Sequence, residues 1–186
     1  MKIKLITTPL NDLKIVEIDY FKDERGFFIE NWHKKDFSKA GIDIEFVQDS
    51  HSRSKKGVIR GLHYQDMTSP MAKLVRCSLG RVFYVAVDLR VSSPTFGKWY
   101  SLELNEENQL QLFVPLGFAL GMAALTSWVD LQYKQAGFYN PSSGKTILWN
   151  DPDIGIKWPK IKIPIISEKD KQGISWKQYL KNPDFK

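Results

Sequence analysis

The chain has 186 residues and a mass of 21.5 kDa, enough to bury one large core. Its 42% hydrophobic and 26% charged residues, with 12 Gly and 9 Pro, exclude a disordered, collagen-like or low-complexity chain. The formal net charge of +6 gathers in residues 155–186, where eight Lys meet only Glu168, Asp170 and Asp184. A solvated lysine-rich tail is therefore favoured over a nucleic-acid surface, and an anionic small molecule remains a compatible ligand.

At the N-terminus, Lys2, Lys4, Asp12 and Lys14 leave no room for an apolar export signal, so a cytoplasmic setting is expected. Residues 14–19, 26–32 and 44–48 read as strands from their β-branched and aromatic content, and 34–40, closed by Gly41, as a short helix. Strands follow at 57–65, 72–78, 81–89 and 98–104, with Leu79-Gly80-Arg81 predicting a tight hairpin. Cys77 is the only cysteine, which excludes a disulfide framework within the chain and fits a reducing compartment.

Residues 109–129 carry no charge and are long enough to span a membrane, but Pro115, Gly117 and Gly121 interrupt them. Gln109 and Gln111 alternate with Leu110 and Leu112, so the stretch reads as two buried strands broken at Pro115-Leu116-Gly117, and no membrane is expected. A strand at 128–135 follows. The Pro-rich portion from Pro152 to Pro164 predicts an extended strap over a barrel, anchored by Ile154, Ile156, Trp158 and Ile161, and 175–181 a second short helix. The sum is an all-β sandwich or barrel in one domain, with little helix.

Strand alternation places ionisable groups on apolar faces. His63 shares a face with Ile59 and Gly61, Lys73 with Val75 and Cys77, and Tyr133 with Val129 and Leu131. Each taken alone reads more simply as a satisfied core polar group or a snorkelling lysine. Three converging on one cavity point instead to a small-molecule site. Arg60, three residues from His63, faces the other side of a regular strand unless Gly61 permits a bulge. Only His33, His51 and His63 exist, with no H-x-H or H-E-x-x-H pair, so a metal is not expected. The G-x-S-x-G, P-loop and G-x-G-x-x-G patterns are also missing, which leaves general acid–base chemistry without a cofactor.

An ordered set of motifs adds to this. Asp23-Glu24-Arg25-Gly26-Phe27-Phe28-Ile29-Glu30, Phe46-Val47-Gln48-Asp49, Arg60-Gly61-Leu62-His63-Tyr64-Gln65, Val85-Ala86-Val87-Asp88-Leu89-Arg90, Ser93-Pro94-Thr95-Phe96-Gly97, Trp149-Asn150-Asp151-Pro152 and Ser167-Glu168-Lys169-Asp170 run nearly the whole chain. Together they resemble the dTDP-4-dehydrorhamnose 3,5-epimerases of the RmlC type. That resemblance implies a double-stranded β-helix, the jelly-roll or cupin barrel, and a homodimer whose N-terminal strands cross to the partner's nucleotide. The implied substrate is a 4-keto-6-deoxy hexose on a nucleoside diphosphate, with dTDP the expected carrier. In the same sense His63 matches the base, Asp170 its orienting carboxylate, Tyr133 the opposing proton donor and Lys73 the cation at the keto oxygen. Arg25, Phe28, Glu30, Gln48, Arg60 and Lys169 match nucleotide or sugar contacts, and Tyr139 matches the residue that stacks on the base.

Four positions depart from the family's usual pattern. Leu120 stands for a sugar-contacting His, Tyr84 for Asp, Gly144 for Glu and Ser50 for Asn. An apolar Leu120 leaves a sugar hydroxyl unpaired, which predicts an altered sugar or inversion at only one of C3 and C5. Two further readings stand beside this one: a cupin that binds nucleotide sugars without turning them over, and isomerisation of the ketone between C3 and C4.

Overall fold

The computed structural model describes residues 2–186. In chain order the strands are β1 (Ile3–Thr7), β2 (Lys14–Ile18), β3 (Phe21–Asp23), β4 (Gly26–Phe28), β5 (Gln48–Lys55), β6 (Ile59–Gln65) and β7 (Ala72–Leu79). They continue with β8 (Arg81–Asp88), β9 (Trp99–Asn105), β10 (Gln111–Val114), β11 (Phe118–Ala124), β12 (Trp128–Ala136) and β13 (Gly144–Thr146). The helices are α1 (Lys34–Ala40), α2 (Glu168–Lys171) and α3 (Trp176–Lys181). Two antiparallel sheets, ordered β1-β2-β10-β7-β12-β5 and β13-β6-β11-β8-β9, face each other, and β3 and β4 form a separate hairpin.

Period-2 alternation builds the layers. Val75, Cys77, Leu112, Val114, Val129 and Leu131 from one sheet meet Val82, Tyr84, Ala86, Leu120 and Met122 from the other in a buried cluster. The alternate residues Leu62, Tyr64, Val85 and Val87 point outward and are covered by Ile154, Trp176, Tyr179 and Phe185 of the C-terminal portion. On the far side, Phe37 of α1 packs on Val16, Ile18 and Leu74. Both C-terminal helices start on serine: Ser167 accepts from the Asp170 N–H, and Ser175 forms a capping box with Gln178.

The expected barrel and the helix at 34–40 are present, the second helix begins at Trp176, and Ile154, Ile156 and Trp158 of the Pro-rich portion pack on the outer cluster. The uncharged stretch at 109–129 is divided among β10, β11 and the start of β12, and no helix among the described residues is long and apolar enough to cross a membrane.

Four local expectations need correction. Leu79-Gly80-Arg81 is not a hairpin turn, because β7 and β8 lie in different sheets; Gly80, at φ +76°, passes the chain from one layer to the other. A Cβ there would stand 2.1 Å from the Trp128 carbonyl oxygen. The strand expected at 44–48 begins only at Gln48, and the one at 26–32 ends at Phe28. The stretches β1, β3, β13 and α2 are elements that the sequence pattern does not announce. Finally, Ile59 does not share a face with His63, for a reason that belongs to the site.

Candidate active site

On β6 the ladder to β11 pairs His63 with Leu120 and Arg60 with Met122, with a register shift between. Gly61 and Leu62 thus stand against the single Gly121, and this bulge brings Arg60 and His63 to one face while turning Ile59 away. Gly61 lies at φ +123°, and a Cβ on it would come within 2.6 Å of the Gly121 Cα, so the close approach requires glycine. Its backbone N–H donates to Asp170 Oδ2 at 3.2 Å. The bulge and the carboxylate are therefore parts of one arrangement.

Asp170 comes from α2, where the Ser167 cap holds its N–H. Its Oδ1 lies 2.5 Å from His63 Nε2. The carboxylate side chain is 4% exposed and the imidazole 40%, so the ring reaches from a buried anchor into open space. Burial alone would raise the Asp170 pKa; the hydrogen bond and charge of His63, with the Gly61 and Ser167 bonds, outweigh it and hold the carboxyl below its usual range.

The opposite sheet supplies the other polar groups. Lys73 on β7 faces Gln135 on β12, and Val75 faces Tyr133. Lys73 has no hydrogen bond or ion pair among the described residues, and burial pushes its pKa down. The Tyr133 and Ser52 hydroxyls are hydrogen-bonded. Burial pushes the Tyr133 pKa up, while the Ser52 bond and the Arg60 charge pull it down. On β5, Gln48, Ser50, Ser52 and Ser54 are the inward positions; Ser54 Oγ accepts from Arg60 Nε at 3.0 Å, and Gln48 Oε1 accepts from the Tyr139 N–H at 3.0 Å.

A cavity of about 250 Å³ is lined by Arg60, His63, Lys73, Tyr139, Lys169 and Asp170 among others. Six of the expected residues thus meet in one place, and Gln48 braces the Tyr139 loop at its edge. Tyr133 shares the inward face but stands off the cavity wall, beside Ser52. Arg25, Phe28 and Glu30 do not join the cavity. They sit on or beside the β3–β4 hairpin, where Phe28 is 70% exposed and Arg25 pairs with Asp23 at 2.6 Å. Their separation has a topological cause, since the hairpin pairs with neither sheet.

Of the departures, Leu120 is 7% exposed and directly opposite His63, while Tyr84 is buried beside Met122 without a hydrogen bond among the described residues. Gly144 lines the cavity next to Tyr139, and Ser50 Oγ donates to Gln135 Oε1 at 2.7 Å. Gln135 is a cavity residue that the sequence reading misses; its strand and its inward face are both legible, since Tyr133 and Gln135 share one parity.

Two facing antiparallel sheets with a polar cavity between them, an imidazole–carboxylate pair on one wall, an ammonium on the other and a phenol set back behind it beside Ser52, define a cupin-type barrel equipped for acid–base chemistry. The family model for dTDP-4-dehydrorhamnose 3,5-epimerase matches residues 7–178, and the chain belongs to that family. It is 48% identical over 167 residues to the dTDP-4-dehydrorhamnose 3,5-epimerase of Salmonella typhimurium strain LT2, covering 89% of this chain and 91% of the relative. Among solved structures, that of dTDP-4-dehydrorhamnose 3,5-epimerase from Elizabethkingia anophelis NUHP1 is 46% identical with a TM-score of 0.89, covering 95% and 97% of the two chains. The dTDP-6-deoxy-D-glucose-3,5-epimerase of Legionella pneumophila Philadelphia 1, solved with dTDP-4-keto-L-rhamnose, is 42% identical with a TM-score of 0.90 over 94% and 93%.

Proposed function

We propose that this chain epimerises carbons beside the C4 ketone of a dTDP-linked 4-keto-6-deoxy hexose, without a cofactor. The observation that carries the reading is the His63 Nε2–Asp170 Oδ1 contact of 2.5 Å, set in the cavity that also holds Lys73, which has no partner among the described residues. An ionised Asp170 only accepts, so the neutral imidazole carries its proton on Nε2 and presents Nδ1 as the base. Nδ1 takes the proton from C3 or C5, and the C–H electron pair moves into a C=C bond as the carbonyl pair moves onto the C4 oxygen.

The developing enolate supplies the counter-charge that Lys73 lacks, so this interaction strengthens as the proton leaves. Tyr133, kept protonated by burial, returns a proton to carbon, and the Arg60 charge steadies the phenolate left behind. His63 and Tyr133 come from opposite sheets, which suits removal on one face of the sugar and delivery on the other. Tyr139 stacks on the base, and Lys169 and Arg60 meet the pyrophosphate.

The test is deuterium wash-in from heavy water into dTDP-4-keto-6-deoxyglucose, followed by NMR. Label at carbon is expected, and its absence from this and related 4-keto sugars would leave a binding cupin as the better reading. One observation favours a narrower version. Leu120 puts an apolar side chain opposite the base, so inversion at a single centre is the second reading, and label confined to C3 or to C5 would establish it.

A homodimer belongs to the same proposal. Phe21 and Phe28 are 80% and 70% exposed on a hairpin that lies outside its own chain's cavity, as expected of an arm that closes a partner's nucleotide site with Arg25, Phe28 and Glu30. A cytoplasmic setting suits the lone buried thiol, Cys77. Co-expressing a His63→Ala chain with an Arg25→Ala/Phe28→Ala chain should restore activity that neither has alone, because the mixed dimer assembles one intact site. No restoration in a purified mixed dimer would place the arm on its own chain's site.

A further inference from the structure

Gln135 is 6% exposed and lines the cavity directly opposite Lys73. The orientation of its amide follows from a chain of donors. The Tyr139 backbone N–H can only donate, so the side-chain oxygen of Gln48 lies toward it, at 3.0 Å. The Gln48 amide nitrogen is then turned to Gln135 Oε1, 3.5 Å away, and the Ser50 hydroxyl donates to the same oxygen at 2.7 Å. Gln135 Nε2 is left on the other side, where its one partner among the described residues is Met71 Sδ at 2.9 Å. A thioether is a weak acceptor, so a buried N–H donor stands nearly unsatisfied.

Two such donors, Lys73 Nζ and Gln135 Nε2, occupy facing positions on neighbouring strands, where Cβ atoms lie about 5 Å apart. We propose that Gln135 Nε2 is a further catalytic group, which joins Lys73 in hydrogen-bonding the C4 oxygen as it becomes an enolate. The inference rests on the reading under Proposed function. Met71 holds the amide loosely and yields it to a charged oxygen, a much stronger acceptor. Two directed donors, one of them on a side chain only 6% exposed, stabilise that oxygen more than one flexible ammonium does alone.

The experiment compares wild type, Gln135→Met and Gln135→Glu for deuterium exchange and dTDP affinity. Methionine keeps the length and removes both N–H groups; glutamate keeps the Ser50 bond and replaces the donor with an acceptor. Wild-type exchange is measured first, and its absence overturns the underlying epimerase reading and this inference with it. With exchange present, both variants should lose about 100- to 1000-fold in kcat, and dTDP affinity should hold in Gln135→Glu, which keeps the acceptor for Ser50 and Gln48. A Lys73→Met/Gln135→Met double variant should lose less than the product of the single losses, because both donors serve one oxygen. Unchanged kcat in a folded variant overturns the proposal alone. So does a loss confined to KM and dTDP affinity, which assigns Gln135 to bracing Gln48 and the Tyr139 loop. Should the methionine variant fail to fold, the glutamate variant decides alone.

Discussion

His63→Ala should stop deuterium entering the sugar carbons while the protein continues to bind dTDP. A positioned general base contributes about 100- to 10,000-fold, so the expected fall in exchange is at least about 1000-fold where no other group can replace it. Neither Lys73 nor Asp170 is placed to substitute: Lys73 is on the opposite sheet and Asp170 is buried behind the imidazole. The nucleotide contacts proposed for Tyr139 and Lys169 come from other segments, so dTDP affinity should hold. Free imidazole should recover part of the exchange by entering the space the side chain leaves. Exchange at the wild-type rate in the alanine variant would remove His63 from the mechanism and require another base.

Legibility in the sequence follows the ladder. Lys73 and Tyr133 read as inward because β7 and β12 keep strict alternation around them, and Val75 opposite Tyr133 agrees with that parity. Arg60 and His63 come to one face through the bulge at Gly61, which alternation does not record but which the glycine between them allows. The strand β5 escapes recognition because Gln48, Ser50, Ser52 and Ser54, its inward residues, form a polar network instead of an apolar face. Gly80 reads equally as a hairpin turn or as a step between sheets, and only long-range pairing of β8 with β9 and β11 decides it. β13 and α2 are too short for periodicity to mark them. Asp170 is reached through the likeness in motifs, because no local pattern links it to a histidine 107 residues earlier.

The cavity's two walls differ in kind. The five-stranded sheet sets His63 and Arg60 among Leu120, Met122 and Ala86, whereas the six-stranded sheet presents Lys73, Gln135, Gln48, Ser50 and Ser52. A substrate whose charge develops at one oxygen is best served when the donors gather on one side and the base works from an apolar surround on the other. The departures at Leu120 and Tyr84 deepen this asymmetry on the base's side. Sugar selection is therefore expected to rest on shape next to His63 and on hydrogen bonding next to Lys73.

The Asp170→Asn variant tests that arrangement at its anchor. Asp170 accepts from two donors at once, the His63 ring nitrogen through Oδ1 and the Gly61 N–H through Oδ2. Asparagine has one side-chain oxygen. If that oxygen serves Gly61, the amide nitrogen faces Nε2 and forces the imidazole proton onto Nδ1, which blocks the base; if it serves His63, two donors oppose each other at the bulge. Exchange should fall by about 10,000-fold, as when the orienting carboxylate of a hydrolase triad is made an amide. Stability gives an independent reading. The folded-state pKa of Asp170 is depressed, so its contribution is present above the unfolded value of about 3.9 and is lost as pH falls through the lower folded value. The Tm gap between wild type and Asp170→Asn should therefore be fully open above about pH 4 and close as the pH drops below that value. A gap that stays constant through that range would show that the carboxylate's charge is not what holds His63 and Gly61 in place.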